Sequence, residues 1–335
     1  MRDDRIDVLR FLGLALIILA HTNPVDVVFQ LRNFDVPLMV IVSGMSFRAA
    51  YRQEAYLSYL FNRIKRLLFP VWLFLSIYFV AVYLTGFPIA LPSTDVILSS
   101  FMLLEGIGYV WIIRVFLMVA MISPFLYRYS SATRSNRRYL LSLLIVYLLY
   151  EIFMSSPLHG LLYSYMFENS ILYVLPYSVV FALGLRLPDL DKKQLIIIMA
   201  ITLCVFACWA GIHWNQSGKF IGTQAFKYPP RSYYLTYAIF ASTLAWHFSA
   251  RLVTAIKSIH ALPVVLYIAQ NSIWVYLWHI PLIQAFHLPS TLEYPLVFSL
   301  AATMTYMQVE LVKRVVMTRI DSDTIRKNVR ILLTG

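Results

Sequence analysis

The chain has 335 residues, of which 60% are hydrophobic and 13% are charged, and its formal net charge is +12. Ordinary soluble domains carry roughly 25% charged residues, so this composition excludes a soluble enzyme and favours a membrane protein. The basic residues are scattered over short connections, which argues against a nucleic-acid partner. Cys204 and Cys208 lie four residues apart in one apolar run, and we expect them to form neither a disulfide nor a metal site.

Apolar runs follow one another along the chain, and their lengths of about 17–25 residues are those of membrane-crossing helices. They lack the alternation of barrel strands, so we expect an all-α, polytopic membrane helix bundle. It would form a single domain over residues 1–335, without an appended soluble domain. The predicted spans, about ten in number, are 6–23, 34–50, 67–86, 108–127, 139–155, 171–187, 195–214, 232–249, 262–283 and 294–314.

The connections between these spans differ in charge. Lys and Arg concentrate in alternate connections, such as 51–66 and 128–138. The opposite set carries only four basic residues, Arg32, Lys219, Lys227 and Arg231. Because Lys and Arg mark the cytoplasmic side, we expect both termini to be cytoplasmic. The protein would be a multi-pass integral membrane protein, in contact with membrane lipids.

The first predicted span carries an arginine and a histidine. Eleven positions separate Arg10 from His21, which places both within about 20° of one helix face and about 16 Å apart. A guanidinium can hold a phosphate, and an imidazole can accept a proton near neutral pH. The pair therefore suits a ligand with phosphates at one end and a reactive group on a long arm, such as acyl-coenzyme A. The alternative is a snorkelling arginine and a histidine that caps the helix.

The second predicted span begins with an acid. Asp35 lies at a level comparable with His21 and could orient or stabilise its protonated imidazole. The alternative is an acid favoured by the dipole at a helix N-terminus. Ser43 and Gly44, further along this span, are expected to let neighbouring helices pack closely.

The fourth predicted span contains an arginine away from the cytoplasmic border. Arg114 would cost several kcal/mol at mid-bilayer, so it needs a role or a partner. We expect it to hold an oxyanion or an anionic part of a substrate. Trp111 precedes it by three residues and could be a sugar platform or an interfacial aromatic. The alternative for Arg114 is a structural ion pair, with Glu105, Asp35 or Glu151 as its partner.

Five stretches resemble, in order, the acyltransferase-3 family of integral membrane acyltransferases. The opening DVLRFLGLALIILAH is similar to the family's signature of an arginine, ten residues and a histidine. The stretch IAQNSIWVYLWHIPLI resembles its late signature of a serine, a tyrosine and Leu-x-His-x-Pro-Leu. Between them lie three further stretches, FDVPLMVIVSG (34–44), NRIKRLLFPVW (62–72) and GYVWIIRVFL (108–117). The resemblance covers essentially the whole chain.

The resemblance implies an activity and a set of site residues. Family members transfer acyl groups, often acetyl, from cytoplasmic acyl-CoA to sugars of surface polysaccharides, lipids or antibiotics. It implies an acetyl-CoA-dependent O-acetyltransferase without a metal, in which His21 is the general base. Arg63 and Arg66 would hold CoA phosphates together with Arg10. The alternative is that Arg63 and Arg66 only mark the cytoplasmic end of their helix, as Lys and Arg commonly do.

Two further features point to the acceptor, a surface glycan or a lipid-linked sugar. His279 lies toward the outer end of the ninth span, as a substrate contact or as a polar packing residue. In the segment 219–234, Lys227 and Arg231 join Lys219 on the outer side. We expect these bases to steer an anionic acceptor. Contact with lipid headgroups is the alternative.

The rival function is a transporter or flippase of lipid-linked saccharides. A bundle of about ten helices with a charged interior would suit that function too. A flippase, however, does not need a general base placed at a distance from phosphate-binding arginines. The Arg10–His21 spacing together with Arg63 and Arg66 therefore favours the acyltransferase.

Overall fold

The computed structural model describes residues 3–157 and 165–334, with only the backbone described for 165–168. The predicted connection 156–170 thus lies partly outside the described residues. Every regular element in the described part is a helix, which confirms the all-α prediction. The α-helices are α1 (Asp4–His21), α2 (Asp26–Leu31), α3 (Asp35–Ala50), α4 (Tyr56–Thr85), α5 (Thr94–Phe101), α6 (Trp111–Ala132), α7 (Asn136–Ser155), α8 (Tyr165–Arg186), α9 (Lys192–Ser217), α10 (Ser232–Ser258), α11 (Leu262–Gln270), α12 (Ser272–Ala285), α13 (Ser290–Leu311) and α14 (Asp323–Thr334).

Within the described residues, 8 helical segments are long and apolar enough to cross a membrane. The chain is therefore a multi-pass membrane protein. The predicted count of about ten spans is higher because two predicted spans are not among these eight segments. The first corresponds to α1, which has 18 residues but four charged ones in its first two turns. The ninth is divided at Asn271 into the shorter helices α11 and α12.

Polar residues and glycines determine where the long helices begin and end. Asp191 caps α9 by accepting a hydrogen bond from the backbone N–H of Gln194, whose side chain bonds back to Asp191. This reciprocal capping box satisfies two backbone donors at the helix start. The helix α4 ends at Gly86, whose φ of 64° is left-handed and whose N–H bonds to the Val82 carbonyl. A glycine adopts this conformation without the steric cost of a Cβ.

The chain divides into two compact units. The first unit comprises Met1–Leu16, Asp26–Gln53 and Met118–Leu262. Within it, α3 packs closely on α8. A Cβ at Gly44 would collide with the Phe181 carbonyl oxygen, and one at Gly184 with the Ile41 carbonyl oxygen. Gly44 therefore serves close helix packing, as expected.

The second unit comprises Ile17–Val25, Glu54–Leu117 and Pro263–Gly335. Within it, α12 packs against α13 and α4, and the C-terminal helix α14 packs against α4. Trp278 of α12 donates from Nε1 to Gln308 of α13 at 2.7 Å. Gln308 in turn donates to the backbone carbonyl of Leu333 at 2.7 Å. This chain of hydrogen bonds ties α14 to the residue that precedes His279.

Candidate active site

Two histidines face each other in the second unit. His21 is the last residue of α1, and His279 lies within α12 at 0% exposure. Nδ1 of His21 is 2.9 Å from Nε2 of His279. The two rings are nearly parallel, with centroids 5.0 Å apart and planes inclined by 15°. The fold thus places side by side two residues that are 258 positions apart in the sequence.

The hydrogen bonds assign the protons of this pair. Nδ1 of His279 contacts the Tyr276 carbonyl oxygen, which can only accept, so this nitrogen carries the proton. In the uncharged form of the pair, Nε2 of His279 is therefore an acceptor, and Nδ1 of His21 must donate to it. Nε2 of His21 is then left with its lone pair. An imidazole held in this tautomer can act as a base.

Tyr109, which was not predicted as a site residue, packs against both histidines. Its ring meets those of His21 and His279 edge-on, at centroid distances of 5.0 Å and 5.9 Å. The hydroxyl of Tyr276 donates to the Tyr109 backbone carbonyl at 2.6 Å, which fixes the segment. Tyr109 lies in the stretch 108–117 that resembles the family, but nothing in its spacing linked it to a histidine.

Polar residues at the start of α13 lie beside the histidine pair. Thr22, which follows His21, lies 3.1 Å from Ser290, hydroxyl to hydroxyl. Glu293 lies three residues after Ser290 and is 6% exposed. Burial, and then the Glu293 carboxylate, raise the pKa of the Tyr109 hydroxyl. Glu293 was also missed, because an acid in the first turn of a helix is common for reasons of the dipole alone.

Arg114 and Trp111 belong to the first turn of α6 and are half-buried. The Nε and Nη1 atoms of Arg114 are buried. Three acids were predicted as ion-pair partners of Arg114, and none of them forms an ion pair with it. Glu105 is exposed and forms no ion pair with a described residue, whereas Asp35 and Glu151 pair with other bases. The role predicted for Arg114 in holding an oxyanion stays a prediction.

Asp35 belongs to a buried ion cluster in the first unit. Arg32 donates to its Oδ2 at 2.8 Å, and Lys227 donates to its Oδ1 at 3.2 Å. All three side chains are at most 4% exposed. The backbone N–H of Val36 also donates to Oδ1, at 2.7 Å. Both carboxylate oxygens of Asp35 are thus occupied, and the imidazole partner that the structure gives His21 is His279.

Two basic side chains of the segment that follows α9 fix it through ion pairs. Burial lowers the pKa of the Lys227 ammonium, and the nearby Asp35 carboxylate opposes this shift. Arg231 pairs with Glu151 at 3.0 Å and donates to Ser155 at 3.2 Å. Of the predicted steering bases, only Lys219 is exposed and forms no ion pair with a described residue. Two of the three predicted steering bases, Lys227 and Arg231, thus form ion pairs with Asp35 and Glu151, and their role toward an acceptor stays a prediction.

The arginines predicted to bind CoA phosphates lie in two places. In the first unit, Arg10 contacts Asp7 and donates from Nη2 to Ser46 at 2.6 Å. These bonds fix the position of the guanidinium. In the second unit, Arg63 and Arg66 occupy one face near the start of α4, at the i,i+3 spacing. Arg66 is exposed and has no ion-pair partner among the described residues.

A metal site needs several ligating side chains close together. Among the residues that the structure describes, no group of three His, Cys, Asp or Glu side chains is placed to hold a metal ion. Cys204 and Cys208 are both free thiols on exposed positions. The hydrogen-bonded imidazole pair of the second unit can transfer a proton.

Comparison with known proteins identifies the family. A family model described as an acyltransferase domain matches residues 3–307. Comparison with curated proteins and with solved structures gives no match. The matched region includes both histidines, Tyr109, Glu293 and the predicted CoA-binding arginines. The chain belongs to the acyltransferase-3 family and is a multi-pass membrane acyltransferase.

Proposed function

We propose that the protein is an O-acetyltransferase that uses acetyl-CoA. The acceptor is a hydroxyl of a cell-surface polysaccharide or of a lipid-linked sugar, and His21 is the general base. The observation that carries the proposal is the hydrogen-bonded pair of His21 and His279, at 2.9 Å. It leaves Nε2 of His21 as the atom able to accept a proton, as acyl transfer to a hydroxyl requires.

The chemistry follows from that tautomer. Nε2 of His21 takes the proton of the acceptor hydroxyl while the oxygen attacks the thioester carbonyl carbon. The tetrahedral intermediate collapses with cleavage of the C–S bond, and the imidazolium returns the proton to the CoA thiolate. His279 accepts the Nδ1 hydrogen bond throughout and so stabilises the positive charge that forms on His21. Arg114 is our candidate for holding the oxyanion, as a half-buried cation in the same unit.

The donor would enter from the cytoplasm. Arg10, Arg63 and Arg66 would bind the CoA phosphates, since a guanidinium presents a fork of donors to a phosphate. This assignment goes with cytoplasmic termini, which the distribution of Lys and Arg favours. We place the protein in the bacterial inner membrane. Arg66 supports the proposal because it is an exposed cation that forms no ion pair with a described residue.

The proposed function is tested by mass spectrometry of surface glycans from cells with and without the gene. We expect an acetyl group to be lost with the gene and restored by the wild-type chain. His21→Ala should fail to restore it. His247→Ala, a half-buried histidine of α10, is the matched control and should restore it. Unchanged glycans in the cells without the gene would contradict the proposal.

A further inference from the structure

We propose that Glu293 and Tyr109 form the acceptor subsite, and that this subsite takes an uncharged sugar with free hydroxyls. The Glu293 carboxylate would accept hydrogen bonds from hydroxyls beside the one that reacts, and the Tyr109 ring would form a wall of the subsite. The inference rests on the proposed function, because it names the acceptor class of that same site.

The first observation is an unmatched buried charge. Glu293 is 6% exposed, and its carboxylate forms no hydrogen bond or ion pair within the described part of the chain. A buried carboxylate without a partner is costly. Its position in the first turn of α13 offsets part of this cost through the helix dipole. The remaining acceptor capacity of its two oxygens is available to a ligand.

The second observation is where this carboxylate lies. Ser290, one turn before Glu293, contacts Thr22 at 3.1 Å, and Thr22 directly follows His21. Burial, and then the Glu293 carboxylate, raise the pKa of the Tyr109 hydroxyl. The ring of Tyr109 lies edge-on to His21 and His279. Glu293 is thus linked to the histidine pair through two different elements, α13 and the segment before α6.

The charge of Glu293 selects the ligand. Carboxylates are acceptors with about four lone-pair sites and suit the hydroxyl donors of a sugar. A second anion near an unpaired carboxylate would be repelled, which disfavours an acidic sugar. Two of the bases expected to attract an anion, Lys227 and Arg231, form ion pairs with Asp35 and Glu151. They therefore do not offset this repulsion of an acidic sugar. An uncharged polyol is therefore the chemistry that this subsite recognises.

The test uses purified protein in liposomes, labelled acetyl-CoA and acceptors from cells that lack the gene. The acceptors are a polysaccharide fraction and a lipid-linked saccharide fraction, each separated by anion exchange into neutral and acidic pools. We expect label in a neutral pool, and the labelled fraction shows which of the two sources supplies the sugar. Glu293→Gln should raise the acceptor KM by about tenfold, and Glu293→Ala by more, because charge-assisted hydrogen bonds are lost.

Two controls separate this inference from the proposed function. Glu105→Gln changes an exposed acid of the same unit and should leave the acceptor KM unaltered. The affinity for acetyl-CoA, measured by calorimetry, should be the same for both Glu293 variants and the wild type. If the wild type transfers no acetyl group, the proposed function itself fails. If it does transfer, then label confined to the acidic pools, or an unchanged acceptor KM in Glu293→Ala, would overturn the inference alone.

Discussion

The two units bury charged side chains in contrasting ways. In the first, the carboxylate of Asp35 is matched by Arg32, Lys227 and a backbone N–H, all within 3.2 Å. In the second, Glu293 is nearly as buried but has no partner among the described residues. The neighbouring imidazole of His21 has an acceptor on one nitrogen and a lone pair on the other.

This difference separates a structural site from a reactive one. A buried charge whose hydrogen-bonding capacity is fully used within the fold holds its segments together. The Asp35 cluster holds the segment that follows α9 through Lys227 in this way. The Glu293 carboxylate forms no hydrogen bond or ion pair with a described residue, so its oxygens are available to a substrate. Nε2 of His21 carries a lone pair that can accept a proton. The comparison therefore predicts loss of activity in one unit and loss of stability in the other.

The largest effect is expected at His21. His21→Ala removes the general base and should lower the rate of acetyl transfer by about 10²–10⁴-fold. The protein should still accumulate in the membrane and keep its affinity for acetyl-CoA, because His21 is at the end of α1. Radiolabel transfer in reconstituted liposomes measures the rate, with His247→Ala as the control. A rate close to that of the wild type would remove His21 from the chemistry.

A substitution in the Asp35 cluster should lower the stability of the protein. Asp35→Asn leaves Arg32 and Lys227 buried without their counter-charge, and we expect a loss of about 3–5 kcal/mol in the free energy of unfolding. Thermal unfolding in detergent measures it. Asp26→Asn changes an exposed acid at the start of α2 and should have little effect. If Asp35→Asn instead kept its stability and lost catalysis, Asp35 would have the catalytic role that its sequence position suggested.

Smaller effects are expected where CoA phosphates are proposed to bind. Arg10→Ala, Arg63→Ala and Arg66→Ala should each weaken acetyl-CoA affinity by about tenfold, the equivalent of about 1.4 kcal/mol. Arg10→Lys should also be impaired, because lysine lacks the planar fork. Calorimetry with purified protein provides the comparison, and the exposed Arg251→Ala is its control. Equal affinities in all variants would mean that these arginines only anchor the topology.

The smallest effect is expected from the segment after α9. Lys219→Gln removes the one predicted steering base that remains exposed and unpaired in the described structure, and should change the acceptor KM by less than about twofold. Kinetics at low and high salt would reveal steering, since screening weakens it. A large, salt-dependent rise in the acceptor KM of Lys219→Gln would support an anionic acceptor. That result would conflict with the subsite proposed at Glu293.

The helical fold and the family could be predicted from the sequence, because apolar length and local motifs carry both. Arg10 and His21 belong to one helix, so periodicity alone related them. The partner of His21 could not be predicted in this way, since His279 belongs to another helix and only packing brings the two together. The same holds for Asp35, whose partner Lys227 is 192 positions away. Glu293 was overlooked because the helix dipole already explains an acid at that position.

The most direct test of the central claim concerns the proton on His21. His279→Gln keeps an acceptor oxygen for Nδ1 of His21, whereas His279→Leu has similar bulk and no acceptor. If the hydrogen bond holds His21 as a base, acetyl transfer by His279→Gln should stay within about tenfold of the wild type, and His279→Leu should lose about 10²-fold or more. Equal rates for His279→Gln and His279→Leu would contradict the account.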